Sequence, residues 1–171
     1  MMNGDGAYRA TPELLALAEQ WQIHPELNHV GLLVRDIHRA AGSFAWIPGL
    51  APWNFLHFRA EEFEMLVSEP FHIHVAKSSV NGVGLELIQP YDSPDSYMER
   101  WLAQHGEGLH HFAFDFKDNE EHIRLVEAMK DSGYSVVYSA LFRGSLIHYV
   151  AAPDGGVVSE LKSKRNRSEE T

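Results

Sequence analysis

Four side chains in this sequence have the types and placement to hold a metal ion: His29, Glu86, His111 and Glu160. They come as two matched pairs. His29-Val30-Gly31-Leu32-Leu33-Val34-Arg35-Asp36 has the same grammar as His111-Phe112-Ala113-Phe114-Asp115-Phe116-Lys117-Asp118. In both, a histidine opens an alternating strand, a small residue follows on the same face, and a basic-Asp pair closes the stretch. A glutamate then falls on the last strand of each half, in Leu85-Glu86-Leu87 and Ser159-Glu160-Leu161. Two imidazoles and two carboxylates suit one divalent cation of the Co, Mn, Ni, Zn or Fe kind and leave positions open to substrate or water. A lone strand histidine is more often a hydrogen-bonded core residue, and a lone strand glutamate a solvated one. Their repetition in both halves is what favours ligands.

Adjacent strand residues point to opposite faces, so His110 and His111 cannot both enter one cavity. Aligning the halves sets His111 opposite His29, with Gly31 and Ala113 on the same face leaving room for a ligand; His110 is then the second-choice ligand or a structural neighbour.

The elements that must position these residues repeat as well. Thr11-Pro12-Glu13 opens a helix that ends before His24-Pro25, its apolar stripe facing the domain or a partner subunit. A strand over Leu27 to Val34, a helix capped by Asp36 and strands at Trp53–Phe58, Phe71–Ser78 and Val83–Gln89 make the first half. Asn81-Gly82 marks a hairpin between the last two strands. A helix from Ser96 to Gln104 links the halves. The second half is a strand from His111, a helix over Glu120 to Asp131, and strands at Tyr134–Ser139, Ser145–Ala151 and Val157–Leu161, the last two joined through Pro153-Asp154-Gly155-Gly156. The expected fold is α+β: two βαβββ modules at 27–90 and 108–162, an N-terminal extension with helix at 1–26, a linker helix at 91–107 and a disordered tail at 163–171.

The chain has 171 residues, of which 44% are hydrophobic and 22% charged, ordinary globular material with room for one sizeable core. Its net charge of −10 and lack of a basic stripe speak against nucleic acid. Cysteine is absent, which removes disulfides, thiolate metal sites and a Cys nucleophile together. No apolar run is long enough to span a bilayer and the N-terminus has no signal-peptide pattern, so a soluble cytoplasmic protein without a membrane partner is expected.

The stretches His29-Val30-Gly31 with Val34-Arg35-Asp36, Leu85 to Pro90, Asp92-Ser93-Pro94 through Gly106-Glu107-Gly108-Leu109-His110-His111-Phe112-Ala113-Phe114, and Gly155 to Leu161 give the chain a resemblance. It resembles the vicinal oxygen chelate (glyoxalase/bleomycin resistance/dioxygenase) superfamily and, within it, the methylmalonyl-CoA epimerases. The resemblance covers nearly all of Leu27 to Leu161, and the run from Asp92 to Phe114 is its most specific part. It implies a metal cupped by two βαβββ modules, with His29, Glu86, His111 and Glu160 at the family's ligand positions. It also implies an epimerase or isomerase that removes a proton alpha to a carbonyl through a metal-held enolate. A glyoxalase-like lyase, a dioxygenase and a metal-free small-molecule binding module are the alternatives.

That family carries an acidic residue on or just before the third strand, where this chain reads Ser68-Glu69-Pro70-Phe71-His72-Ile73-His74-Val75. Hairpin register decides which of these share the face of Glu86: an even turn pairs Lys77 with it, an odd one brings in His72 and His74. Matching apolar Phe71 and Ile73 to Leu85 and Leu87 favours the odd turn. His74 is therefore the expected base with Glu69 behind it and Glu160 sharing the catalytic role, while hydrogen bonding to neighbours is the alternative for both histidines. His72, Lys77, Tyr149 and Trp53 are expected to meet the substrate; of His148 and Tyr149, one should face the metal. Trp46, Trp53, Phe55, Phe58 and Phe63 either line a pocket for a bulkier or aromatic substrate or belong to the core. The partners expected are a small acyl-CoA, hydroxy-carbonyl or aromatic substrate and a second copy of the chain in a homodimer.

Overall fold

The computed structural model describes residues 12–153, 155 and 157–163. The expected Thr11 cap, part of the turn after Pro153 and the tail beyond residue 163 lie outside them. Among the described residues nine strands form one mixed sheet: β1 (Glu26–Leu33), β2 (Asn54–Phe58), β3 (Glu64–Val67), β4 (His72–Val80), β5 (Val83–Tyr91), β6 (Gly108–Phe116), β7 (Ser135–Phe142), β8 (Ser145–Ala151) and β9 (Val158–Ser163). The helices described with it are α1 (Pro12–Gln20), α2 (Ile37–Ser43), α3 (Tyr97–His105) and α4 (Asn119–Asp131). The strand order is β2-β4-β5-β1-β6-β9-β8-β7-β3. Each module contributes β1-β5-β4-β2 or its counterpart β6-β9-β8-β7, and the modules join where β1 and β6 pair antiparallel. The sheet curls into a half-barrel, an α+β architecture of two βαβββ units.

Local chemistry starts and stops these elements. Asp36, Ser96 and Asp118 cap α2, α3 and α4 by accepting from backbone N–H groups of the first turn. Gly106, at φ 78, ends α3. Asn81 and Gly82 both take positive φ, the two-residue hairpin turn whose twist matches the strands it joins. Arg143-Gly144 repeats this between β7 and β8.

Three apolar clusters hold the sheet in shape. Inside the curl, Phe71, Ile73, Val75, Ile88, Tyr138 and Tyr149 pack with Met98 and Leu102 of α3, which closes one end. Outside, α2 covers Ala76 and Leu87 in the first module, and α4 backed by α1 covers Phe116, Val150 and Leu161 in the second. Among the described residues no helix is long and apolar enough to cross a membrane.

Two expectations are corrected here. The β4–β5 turn is even, so Lys77 stands opposite Glu86, and His74 stands opposite Gln89 on the other face. Apolar matching pointed the wrong way because the inner face of β4 is itself apolar, with Phe71, Ile73 and Val75 turned into the curl. The second correction is β3, which lies between the expected strands Trp53–Phe58 and Phe71–Ser78, where no strand was expected. It pairs with β7, so a strand of the first module edges the second.

Candidate metal centre

β1 and β6, the two strands at the joint, bring His29 and His111 together, and their parallel neighbours β5 and β9 bring Glu86 and Glu160. All four are buried, and one ligand atom from each lies within 4.8 Å of the others. His29 Nε2 is 3.2 Å from Glu86 Oε2 and 3.1 Å from Glu160 Oε2. His111 Nε2 is 3.1 Å from Glu160 Oε2 and 3.1 Å from His29 Nε2.

Two glycines make this approach possible. A Cβ on Gly31, opposite His111, would overlap the His111 ring, and one on Gly84, opposite His29, would press on the His29 Cβ. The small residue expected to leave room for a ligand therefore leaves room for an imidazole.

The rings are oriented from behind. His29 Nδ1 lies 2.7 Å from Asn28 Oδ1; as the donor there it leaves Nε2 for the centre. Asn28 is itself tied to Asp115 through Nδ2 at 2.7 Å. His111 Nδ1 lies 2.9 Å from His110 Nδ1, and His110 Nε2 lies 3.0 Å from the Tyr97 hydroxyl. Between Gly31 and Leu32 the β1–β6 register slips, so that Gly31 faces His111 while Leu32 faces Leu109. His110 is the extra residue of this bulge, which allows two adjacent histidines to be buried with one turned under α3.

The electrostatics suit a divalent cation. Burial would lower His29, but Glu160 and Glu86 overcome it and raise its pKa to about 9. Burial would raise both glutamates; the His29 imidazole holds Glu86 below the usual carboxylate range, and His111 and His29 hold Glu160 well below it. In the described structure Glu160 Oε2 is buried without a donor in hydrogen-bonding geometry, although two imidazole nitrogens are close. Lone pairs converging on one point, with two negative charges among them, match what a cation needs and two neutral hydrogen bonds do not. The donor set thus fits Co, Mn, Ni, Zn or Fe in the divalent state.

The centre lies at the floor of a cavity of about 600 Å³. Lys77, Tyr149, Lys162, Asp115 and Asn28 join the glutamates in its lining. Lys77 Nζ is 2.7 Å from Glu86 Oε1. Tyr149, not His148, faces the centre: it pairs with Glu160 and stacks on His111 at 5.1 Å. Lys77 and Tyr149 are module equivalents, each opposite its module's glutamate on the neighbouring strand.

Other expected site residues lie elsewhere. His72 and His74 are on the outer face of β4, where His74 stacks on Tyr91 and its Nδ1 lies 3.1 Å from that of His57. Glu69 is exposed in the loop before β4, beside Ser93 and Arg100. Trp53 packs against Phe44 of the α2 layer, and Trp46 is 78% exposed. Of the aromatic cluster only Phe58 and Phe63 line the cavity, joined by Phe71 and Phe142. Lys162 was missed because it lies just past the expected last strand, Val157–Leu161, although alternation from Glu160 already placed it inward. Asn28 and Phe142 carried no sequence signal of their own.

Comparison with known proteins places the chain in a family. The model of the Glyoxalase/Bleomycin resistance protein/Dioxygenase superfamily matches residues 28–151. The Bacillus subtilis (strain 168) protein YqjC, described as uncharacterized, is 35% identical over 88 residues, 52% of this chain and 55% of that one. The chain thus spans about half the length of the curated relative it matches. Among solved structures, hypothetical protein BH1468 from Bacillus halodurans C-125 aligns at 21% identity over 85% of this chain and 99% of that one, TM-score 0.56. A Streptomyces coelicolor methylmalonyl-CoA epimerase variant in complex with 2-nitronate-propionyl-CoA aligns at 24% identity over 82% of this chain and 97% of that one, also at 0.56. Likeness at this identity is likeness of fold.

Proposed function

Because the chain belongs to the Glyoxalase/Bleomycin resistance protein/Dioxygenase superfamily, we propose that it is a metal-dependent isomerase or epimerase acting on a small carbonyl substrate whose alpha proton it removes. The observation that carries this reading is the convergence of two imidazoles and two carboxylates at the floor of an open cavity. His29, Glu86, His111 and Glu160 would hold one divalent ion, which supplies Lewis-acid stabilisation to negative charge developing on a substrate oxygen.

The chain's own groups do the rest. Lys77, held charged against burial by Glu86, fixes the anionic end of the substrate. The Tyr149 phenol, kept protonated by burial and by Glu160, offers a hydrogen bond from the other module. Glu160, which lines the cavity, is the group assigned to move the proton. His74, His72, Glu69 and Trp53 have no part in this assignment, since they stand away from the cavity.

One observation favours a glyoxalase-like lyase or isomerase over strict inversion. Among the described residues the carboxylates of the lining are Glu86, Glu160 and Asp115, with no imidazole, and Glu86 and Asp115 are each engaged by a lysine, Lys77 and Lys162, which leaves Glu160 to take and return the proton. A proton that one group takes and delivers to the neighbouring carbon isomerises the substrate, whereas its return to the carbon it left gives exchange with retention and no inversion. The absence of cysteine supports a cytoplasmic setting, and exposed Leu27, Leu109 and Phe112 along the outer side of the joint support a homodimer.

The test has two stages. Protein purified without chelator is expected to carry close to one equivalent of divalent metal, lost in His29→Ala. Metal-loaded protein is then incubated with racemisable 2-substituted acids and thioesters in D₂O, and exchange of the alpha proton is followed by NMR. Exchange with retention points to the one-base route and exchange with racemisation to epimerisation; no exchange in any substrate sinks the carbon-acid reading.

A further inference from the structure

The cavity above the metal centre has a wall that its chemistry does not require. From His111 an unbroken series of rings runs to the rim: Tyr149 stacks on His111 at 5.1 Å, Tyr138 lies 5.1 Å from Tyr149, Phe71 5.1 Å from Tyr138, and Phe63 5.5 Å from Phe71. Phe63 and Phe142 then stack at 4.8 Å and 27°, with Phe58 edge-on to Phe142 at 5.5 Å. All six of these phenylalanines and tyrosines line the cavity, and Phe58, Phe63 and Phe142 are only partly buried, so ring surface is presented to the space. The far end is braced from outside, where Arg143 sits over the Phe142 ring at 4.9 Å and reaches Glu62 at 3.6 Å.

Charge sets the other end. Lys77 and Lys162 are the cations of the lining, against Glu86, Glu160 and Asp115, which leaves one net negative charge. A divalent ion turns that into one net positive charge, which a single carboxylate balances. Among the described residues a polyanion such as a coenzyme A thioester finds no cation in the lining beyond Lys77 and Lys162, and the chain as a whole carries −10.

We propose that the ligand of this cavity is a compact monoanionic aryl acid, with its carboxylate at the metal end and its aromatic ring held in the Phe58–Phe63–Phe142 cage. This names the substrate class of the site and rests on the metal-centre reading given above. The cage is built by the crossing of modules, since Phe58 ends β2, Phe63 precedes β3, and β3 edges β7, which ends in Phe142. Edge-to-face and stacked arrangements of a third ring against such a pair add to the area it buries. A cavity of about 600 Å³ accepts such a molecule whole.

The test is calorimetric, on the full chain saturated with cobalt(II), with mandelate, lactate and malonyl-CoA as probes and the cobalt absorption spectrum as a second readout. Mandelate is expected to bind roughly tenfold or more tightly than lactate and to perturb the cobalt spectrum, with malonyl-CoA weaker than mandelate. Phe142→Leu keeps apolar volume and removes the ring; it is expected to weaken mandelate by roughly three- to tenfold and leave lactate unchanged, which also shows that the variant is folded. Equal affinities for mandelate and lactate, or tighter binding of malonyl-CoA, on protein that does bind cobalt overturn the aryl assignment alone. Failure to bind cobalt overturns the metal-centre reading and the metal end of the ligand with it.

Discussion

His110 and His111 are neighbours in sequence, both fully buried, and they do different work because a bulge turns one inward and one under α3. The four donors were legible because they repeat, and a repeat survives even when loop lengths differ. The residues that shape the centre were not, because a supporting asparagine or a glycine under a ring reads like any other strand residue. Gly31 is the sharpest case. Placing a methyl group there drives it into the His111 ring, so Gly31→Ala is expected to cost about 1–3 kcal/mol of metal-free stability and to weaken cobalt binding by roughly 10–100-fold. A cobalt titration that matches the parent protein would show that the ring is not held by that contact. Lys77 makes a prediction of opposite sign for two ligands. It competes with a cation for Glu86 but attracts an anion, so Lys77→Met should leave metal affinity equal or tighter while weakening a small carboxylate such as lactate by roughly tenfold. Parallel loss of both affinities would mean that the lysine only supports the fold.

Helix starts were readable to within a residue or two, as with Asp36 before α2, whereas pairing between strands was not. Asn81-Gly82 dictated an even hairpin, and the turn outweighed the apolar pattern because both residues need positive φ only in that geometry. Gly82→Ala therefore is expected to lower stability by about 1–2 kcal/mol, read from the urea midpoint at constant m value. β3 escaped notice because a strand of four residues among glutamates has no periodicity to show, and only its pairing with β7 defines it. The docking of α4 carries a pH dependence of its own. His122 on α4 is fully buried against Phe116, with Nε2 3.0 Å from His148 Nδ1 and with its own Nδ1 lacking a partner among the described residues. Burial, helped by His148, lowers its pKa to about 3 from 6.5. Above pH 6.5 neither folded nor unfolded chain protonates this group and stability is intact. As pH falls below 6.5 the unfolded chain takes the proton and the folded one does not, so roughly 3 kcal/mol is lost by pH 4. His122→Leu should flatten the stability profile between pH 6.5 and 4 relative to the parent; equal slopes would show that the imidazole titrates normally in place.

At the scale of the whole molecule, the duplication explains why the centre belongs to neither half. Each module brings one imidazole and one carboxylate to the β1–β6 joint, and His29 contacts the glutamates of both modules. Without a cation two buried glutamates lie against two buried imidazoles, where burial disfavours the carboxylate charge; with one the four become a cross-link between modules. Binding to the folded chain alone stabilises it by about 2.7 kcal/mol at a hundredfold excess over Kd, which for a domain of this size raises Tm by roughly 5–10 °C. That increment is indivisible if the ion is shared. His29→Ala in the first module and His111→Ala in the second are each expected to abolish the metal-dependent rise in Tm, and the double variant to lose no more of it than either alone. Two independent His–Glu pairs would behave differently: each single variant would keep the part of the rise contributed by the intact half, and the losses would add. The thermal shift on adding cobalt(II) to the four proteins therefore reads out whether the duplicated modules share one ion or merely face each other.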